Sequence, residues 1–70
     1  MVFQLKDISC TGEPPDWIFY IYLSERRMRE RPHSAIAFGH LKGKDREGAL
    51  SSFNAWRSRK PWYRNAVEVD

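Results

Sequence analysis

The chain has 70 residues, a single cysteine and a net charge of +3. A chain this short forms a single domain (1–70), and one cysteine excludes an internal disulfide, so packing must supply the stability. The longest apolar run, residues 17–23, is far shorter than the roughly 20 residues that cross a membrane. The N-terminus lacks a signal-like apolar segment and a lone thiol suits a reducing compartment, so we expect a cytoplasmic protein without a membrane partner.

The charge is unevenly distributed along the chain. Residues 1–23 carry one lysine against three carboxylates, a net charge of −2. Residues 24–64 carry eleven Lys and Arg against four carboxylates, a net charge of +7. A basic region of this kind favours an acidic partner, either nucleic acid or an acidic protein surface.

The first third of the chain predicts two strands joined by a loop. Residues 2–6 alternate weakly, which predicts a short edge strand, and the prolines and glycine of residues 11–16 predict a loop. Residues 17–23 are β-branched and aromatic up to the final leucine, as is typical of a strand. Alternation along this strand places Trp17, Phe19, Ile21 and Leu23 toward the core and Ile18, Tyr20 and Tyr22 on a half-wet face.

The middle of the chain predicts a hairpin connection and a third strand. Residues 24–32 are highly charged and predict the protruding connection of a hairpin. Residues 34–41 predict a strand in which small residues (Ala35, Ala37, Gly39) alternate with larger ones. A face of small side chains lets a helix approach the sheet closely.

The last third predicts one helix and a final strand. After a turn at residues 42–44, Asp45 begins a helix of about 15 residues that Pro61 ends. Val67 and Val69 are expected to point inward from a last strand at residues 65–69. The apolar stripe of the helix comprises Ala49, Leu50, Phe53 and Trp56.

These elements predict the α+β class, in the order β-β-β-α-β. The strands are close in sequence, so we expect a small antiparallel sheet of three or four strands with a single helix covering one face. Strand 17–23 then runs toward the hairpin, strand 34–41 runs back, and the helix returns toward the hairpin end.

Metal and cofactor sites are not expected from the residue spacing. The possible ligands are Cys10, His33 and His40, with Asp16, and they match none of the Cys and His spacings of structural zinc sites. A chain of this size also has little room for a pocket that encloses a small-molecule substrate.

Catalysis is not expected either. Ser51 and Ser52 lie within the predicted helix and lack the strained turn of a nucleophilic serine. A metal-free ribonuclease is the one enzyme class that stays open, with His40 as general base beside Lys42 and Lys44.

The first candidate site is the arginine segment, residues 25–31, with Arg26, Arg27, Arg29 and Arg31. If the segment is extended, Arg27, Arg29 and Arg31 project to one side, where each can make a bidentate contact with a phosphate or carboxylate. The alternative is a solvated hairpin whose charge prevents edge-to-edge aggregation. Both interpretations stay open.

The second candidate site lies where the predicted helix ends. Its mixture of cations and aromatic side chains suits phosphate contacts and base stacking, and it also typifies protein–protein hot spots. Alternatively, the aromatic residues complete a small core while the cations cap the helix. We call this site the helix-end cluster; its candidate binding residues are Arg57, Arg59, Lys60, Trp62, Tyr63 and Arg64.

Two functional hypotheses follow from these clusters. The first is a nucleic-acid-binding module, and the second is a protein-binding inhibitor or adaptor that uses the same basic surface. In size and plan the chain resembles small single-domain proteins of phages and mobile elements that inhibit a host enzyme, including RNA polymerase inhibitors and anti-CRISPR proteins; this resemblance is one of architecture only. We expect both clusters to form one positive face, with Arg29 and Arg59 on the same side of the molecule.

Overall fold

A computed structural model describes residues 1–8 and 17–69, so the loop predicted at residues 11–16 lies outside this part of the chain. The α+β class is confirmed, with a four-stranded sheet and one main helix in the described ranges. The elements are β1 (Val2–Asp7), β2 (Trp17–Tyr22), α1 (Glu25–Glu30), β3 (Ala37–Leu41), α2 (Arg46–Arg57), a 3-10 turn (Pro61–Tyr63) and β4 (Val67–Glu68).

The strands form one mixed sheet in the order β3-β2-β1-β4. β2 pairs antiparallel with β1 and β3, as predicted, whereas β4 pairs parallel with β1. The chain returns after α2 to the end of the sheet where β1 begins, so that Val67 lies beside Val2. The predictions of an edge position for the first strand and of a wholly antiparallel sheet are therefore wrong.

α2 covers one face of the sheet. Asp45 caps its N-terminus, where the carboxylate accepts a hydrogen bond of 2.9 Å from a first-turn amide. Ala49 and Phe53 are fully buried, and Leu50 and Trp56 pack against the core while partly exposed. The predicted apolar stripe of the helix is confirmed.

Phe53 joins α2 to the sheet. Its ring centroid lies 4.4 Å from that of Phe3 and 4.9 Å from that of Phe19. Gly39 faces Phe19 across the β2–β3 register, and a Cβ atom there would lie 2.8 Å from the Phe19 ring. The small residue in β3 therefore leaves the room that this aromatic core needs.

The segment predicted as a hairpin connection is a short helix. The Ser24 hydroxyl caps α1 by accepting a hydrogen bond of 3.2 Å from the Arg27 amide, and Met28 is buried. α1 contacts β2. Residues two apart on a helix do not face one side, so the extended arrangement of Arg27, Arg29 and Arg31 is wrong.

Three side chains differ from the prediction in their direction or in their exposure. Leu23 lies beyond the end of β2 and is 49% exposed. Tyr22 is buried rather than half-wet, because the chain after α1 folds over it and the Pro32 carbonyl accepts a hydrogen bond from its hydroxyl. Val67 is exposed because the last strand places Ala66 inward instead.

Candidate binding surfaces

An aromatic stack runs from the core to the solvent through the helix-end cluster. The ring centroid of Trp56 lies 4.7 Å from Phe19 and 5.5 Å from Tyr63. Pro61 begins the 3-10 turn that follows α2. This turn places the Tyr63 ring against that of Trp56. Trp62 meets Tyr63 edge-on at 5.8 Å and is 63% exposed. The stack therefore ends in an indole that solvent and ligands can reach.

Two of the predicted binding residues in the helix-end cluster also make contacts within the fold. The Arg57 guanidinium lies 5.2 Å from the ring centroids of both Phe3 and Phe53. It also donates a hydrogen bond of 2.9 Å to the Ala66 carbonyl. Tyr63 is half-buried in the aromatic stack. Both side chains are partly exposed and at the same time hold the end of α2 and the 3-10 turn in place.

The other four residues of the helix-end cluster can meet a ligand. Arg59 and Arg64 are exposed, and neither forms an ion pair within residues 1–8 and 17–69. The Lys60 ammonium lies 5.9 Å from the centroid of the Trp56 ring and is partly exposed. With Trp62, these side chains provide three cations close in sequence to one exposed indole.

Two of the four arginines in the arginine segment form ion pairs within α1. The guanidinium groups of Arg26 and Arg29 form i,i+4 ion pairs with helix carboxylates at 2.9 and 2.7 Å. Arg27 and Arg31 are exposed and have no ion-pair partner in the described part of the chain. These two cations are the ones that an anionic ligand can engage without competing against a carboxylate.

The two clusters are anchored on opposite faces of the sheet. Side chains alternate along a strand, so Phe19 and Tyr22 point to different faces. The helix-end cluster packs through Trp56 onto Phe19, whereas the arginine segment connects through Pro32 to Tyr22. Both clusters nevertheless follow elements that finish at the same end of the sheet, where Val2 lies beside Tyr22 and Val67. That their exposed cations form one positive face stays a prediction.

A third surface, which was not predicted from the sequence, is the open sheet face, formed by the outward side chains of β1, β2 and β3. Tyr20 and Phe38 are cross-strand neighbours there, with ring centroids 6.4 Å apart. Phe38 is 68% exposed, and the Lys6 ammonium lies 5.5 Å from the centroid of the Tyr20 ring. Alternation in the two predicted strands contained the signal, since both aromatic residues fall on the side away from the helix.

Metal-ligating groups and membrane-spanning helices are absent from the described part of the chain. Within residues 1–8 and 17–69, no three His, Cys, Asp or Glu side chains are grouped so that they could hold a metal ion. Two of the predicted ligands, Cys10 and Asp16, lie outside these ranges. The helices in these ranges are too short or too polar to cross a bilayer.

Comparison of the chain with protein families, curated proteins and solved structures finds no match. Its function must accordingly be inferred from the side chains and their geometry.

Proposed function

We propose that the chain is a small nucleic-acid-binding module whose helix-end cluster contacts a single strand. The observation that carries the proposal is the 63% exposed indole of Trp62 at the end of a buried aromatic stack. An exposed aromatic ring can stack a nucleobase for about 1–3 kcal/mol, and nearby cations contact the phosphates. Arg59, Lys60 and Arg64 supply those cations.

The stack beneath Trp62 favours binding by restricting the indole before a ligand arrives. Trp62 follows Pro61 in the 3-10 turn and rests edge-on against Tyr63, which is itself stacked on Trp56. A side chain that is already ordered loses less conformational entropy when it binds. This arrangement suits a base-stacking role better than a flexible surface tryptophan would.

A direct test is the binding of a dye-labelled oligothymidylate of about eight nucleotides, within the roughly 4–16 that one small single-strand-binding fold covers. Fluorescence anisotropy should show wild-type binding that weakens steeply with salt. Trp62→Ala should lower affinity about fivefold or more. Arg59→Gln should reduce the slope of log affinity against log salt by about 0.7, the value for one lost phosphate contact to a single strand.

Lys44→Gln is the matched control for Arg59→Gln, because it removes one exposed positive charge from the turn before α2. It should leave the Trp62-dependent affinity unchanged. Equal effects of the two charge removals would mean that only the net charge of the protein attracts the oligonucleotide, which contradicts a site at the helix-end cluster.

A protein-binding inhibitor or adaptor is the second candidate, since an exposed tryptophan beside arginine is also the composition of protein–protein hot spots. It predicts that wild type does not bind the oligonucleotide in a Trp62-dependent manner. It also predicts that a partner from the native host's lysate is retained after nuclease treatment and is lost with Trp62→Ala.

A further inference from the structure

We propose that the open sheet face is a second nucleic-acid contact, on which Tyr20 and Phe38 stack unpaired bases of a single strand. Lys6 and the free cations of the arginine segment would contact the phosphates on either side. This inference rests on the proposed function and deepens it, because it specifies a ligand with accessible bases and adds a surface that faces away from the helix-end cluster.

Phe38 is the most exposed large apolar side chain in the described residues, at 68%. It lies on the edge strand β3 directly opposite Tyr20 of β2, with ring planes tilted by 31°. Both rings are held on strands of a sheet whose other face is fixed by α2. An aromatic ring on a rigid strand can stack a flat partner at low entropic cost.

The open sheet face is concave around these two rings. A shallow concavity of about 390 Å³ lies over the two rings. Lys6 borders it on one side, and Pro32 and His33 border it on the other. Arg31 is exposed and immediately precedes Pro32 in the chain. The aromatic platform is therefore placed between Lys6 and the chain that directly follows the arginine segment.

Charge identifies the occupant. Within residues 1–8 and 17–69, the side chains that line the concavity include Lys6 and His33 and no carboxylate, so the surface suits a polyanion that also presents flat apolar rings. A single-stranded nucleic acid combines both properties, because its bases are free to leave their own stack. A duplex keeps its bases paired and stacked, so it cannot use Tyr20 and Phe38 in this way.

The experiment compares the labelled oligothymidylate with an abasic oligomer of the same length and charge. Wild type should bind oligothymidylate about fivefold or more tightly than the abasic oligomer. Phe38→Leu should lose about fivefold for oligothymidylate and nothing for the abasic oligomer, whereas Phe38→Tyr, which keeps a ring, should retain the affinity. Val67→Ala removes an exposed apolar side chain at the opposite sheet edge and should have no effect.

The same assay separates this inference from the proposed function. If Phe38→Leu binds oligothymidylate with wild-type affinity and Trp62→Ala loses affinity, the open sheet face is not a binding site. The helix-end cluster then remains the proposed site. If Phe38→Leu loses affinity and Trp62→Ala keeps wild-type affinity, the helix-end cluster is not a binding site. The open sheet face then remains the proposed site. If wild type binds the abasic oligomer as tightly as oligothymidylate, bases do not contribute to binding, and stacking on Tyr20 and Phe38 is contradicted.

Sedimentation of the same proteins completes the test. Monomeric wild type is expected at the concentrations of the binding assay. A wild-type dimer that Phe38→Leu converts to monomer would show that a second copy of the chain covers the open sheet face, and it would overturn the inference.

Discussion

A buried hydroxyl connects the chain just after the arginine segment to the sheet. The Tyr22 side chain is 2% exposed, and its O–H donates a hydrogen bond of 2.8 Å to the Pro32 carbonyl. Burial raises the pKa of the Tyr22 phenol above its ordinary value of 10.0, and the nearby Tyr20 adds to the rise. The unfolded chain therefore releases this proton at a lower pH than the folded chain does.

Tyr22→Phe should consequently have a pH-dependent effect on the free energy of unfolding. Near neutral pH the lost hydrogen bond should cost about 1 kcal/mol. Because the folded pKa is raised, this contribution is fully present below the unfolded pKa of about 10 and is lost as pH rises toward the folded pKa. Denaturant unfolding of both proteins at neutral pH and at about pH 11 should show the difference shrink. A difference that stays constant would contradict the raised pKa.

Phe53→Ala tests the centre of the core. Phe53 is fully buried, with its ring between those of Phe3 and Phe19. Removing such a ring should cost about 3–5 kcal/mol, a large part of the 5–15 kcal/mol that stabilises a typical small protein. Thermal melting should show a large drop or no folded state, while the exposed control Ser51→Ala in the same helix should melt near the wild-type temperature.

Among the elements, β2, β3 and α2 meet at Gly39. A Cβ atom at this position would lie 2.8 Å from the Phe19 ring. The ring cannot move aside, because it also contacts Phe53 and Trp56 at centroid distances of 4.9 and 4.7 Å. The close approach of sheet and helix therefore depends on the absence of a side chain at residue 39 of β3.

Gly39→Ala should accordingly destabilise the protein by about 1–3 kcal/mol through overpacking. His40→Ala is the control, since the neighbouring His40 is exposed on the other side of β3. Denaturant unfolding at neutral pH should show a lower midpoint for the first variant and a nearly unchanged one for the second. Equal midpoints would mean that the core has room for the added methyl group.

The two helices differ in how far the sequence predicts them. α2 was predictable because a capping Asp45, a regular apolar stripe and Pro61 agree on one helix. α1 has only six residues and a charged surface, and an isolated helix of that length is unstable in water. It forms because Met28 is buried and Ser24 caps it, and only the first of these depends on contacts that sequence patterns do not reveal.

At the scale of the whole molecule, long-range pairing was the part that the sequence could not predict. β4 has two paired residues, and its partner is set by the path of the chain through the 3-10 turn after Pro61. The same turn leaves Trp62 exposed and packs Tyr63 against Trp56. Composition identified the cations and aromatic residues, but their division between core and surface required the tertiary contacts.

The placement of the two basic clusters on opposite faces of the sheet leads to a prediction about their energetic coupling. Arg31→Glu and Arg59→Glu should each weaken binding of the labelled oligothymidylate, because each replaces an exposed cation with an anion that repels phosphate. At an ionic strength of about 0.15 M the Debye length is about 8 Å, so charges separated by the sheet are largely screened from one another. The free-energy losses of the two variants should therefore add in the double variant to within about 0.3–0.5 kcal/mol.

Anisotropy titrations of the two single variants and the double variant measure this coupling. All three should melt near the wild-type temperature, because both arginines are exposed and have no ion-pair partner in the described residues. A coupling energy clearly above the additive range would show that both side chains act on the same part of the ligand. That result would support a single positive face and contradict independent binding by the two clusters.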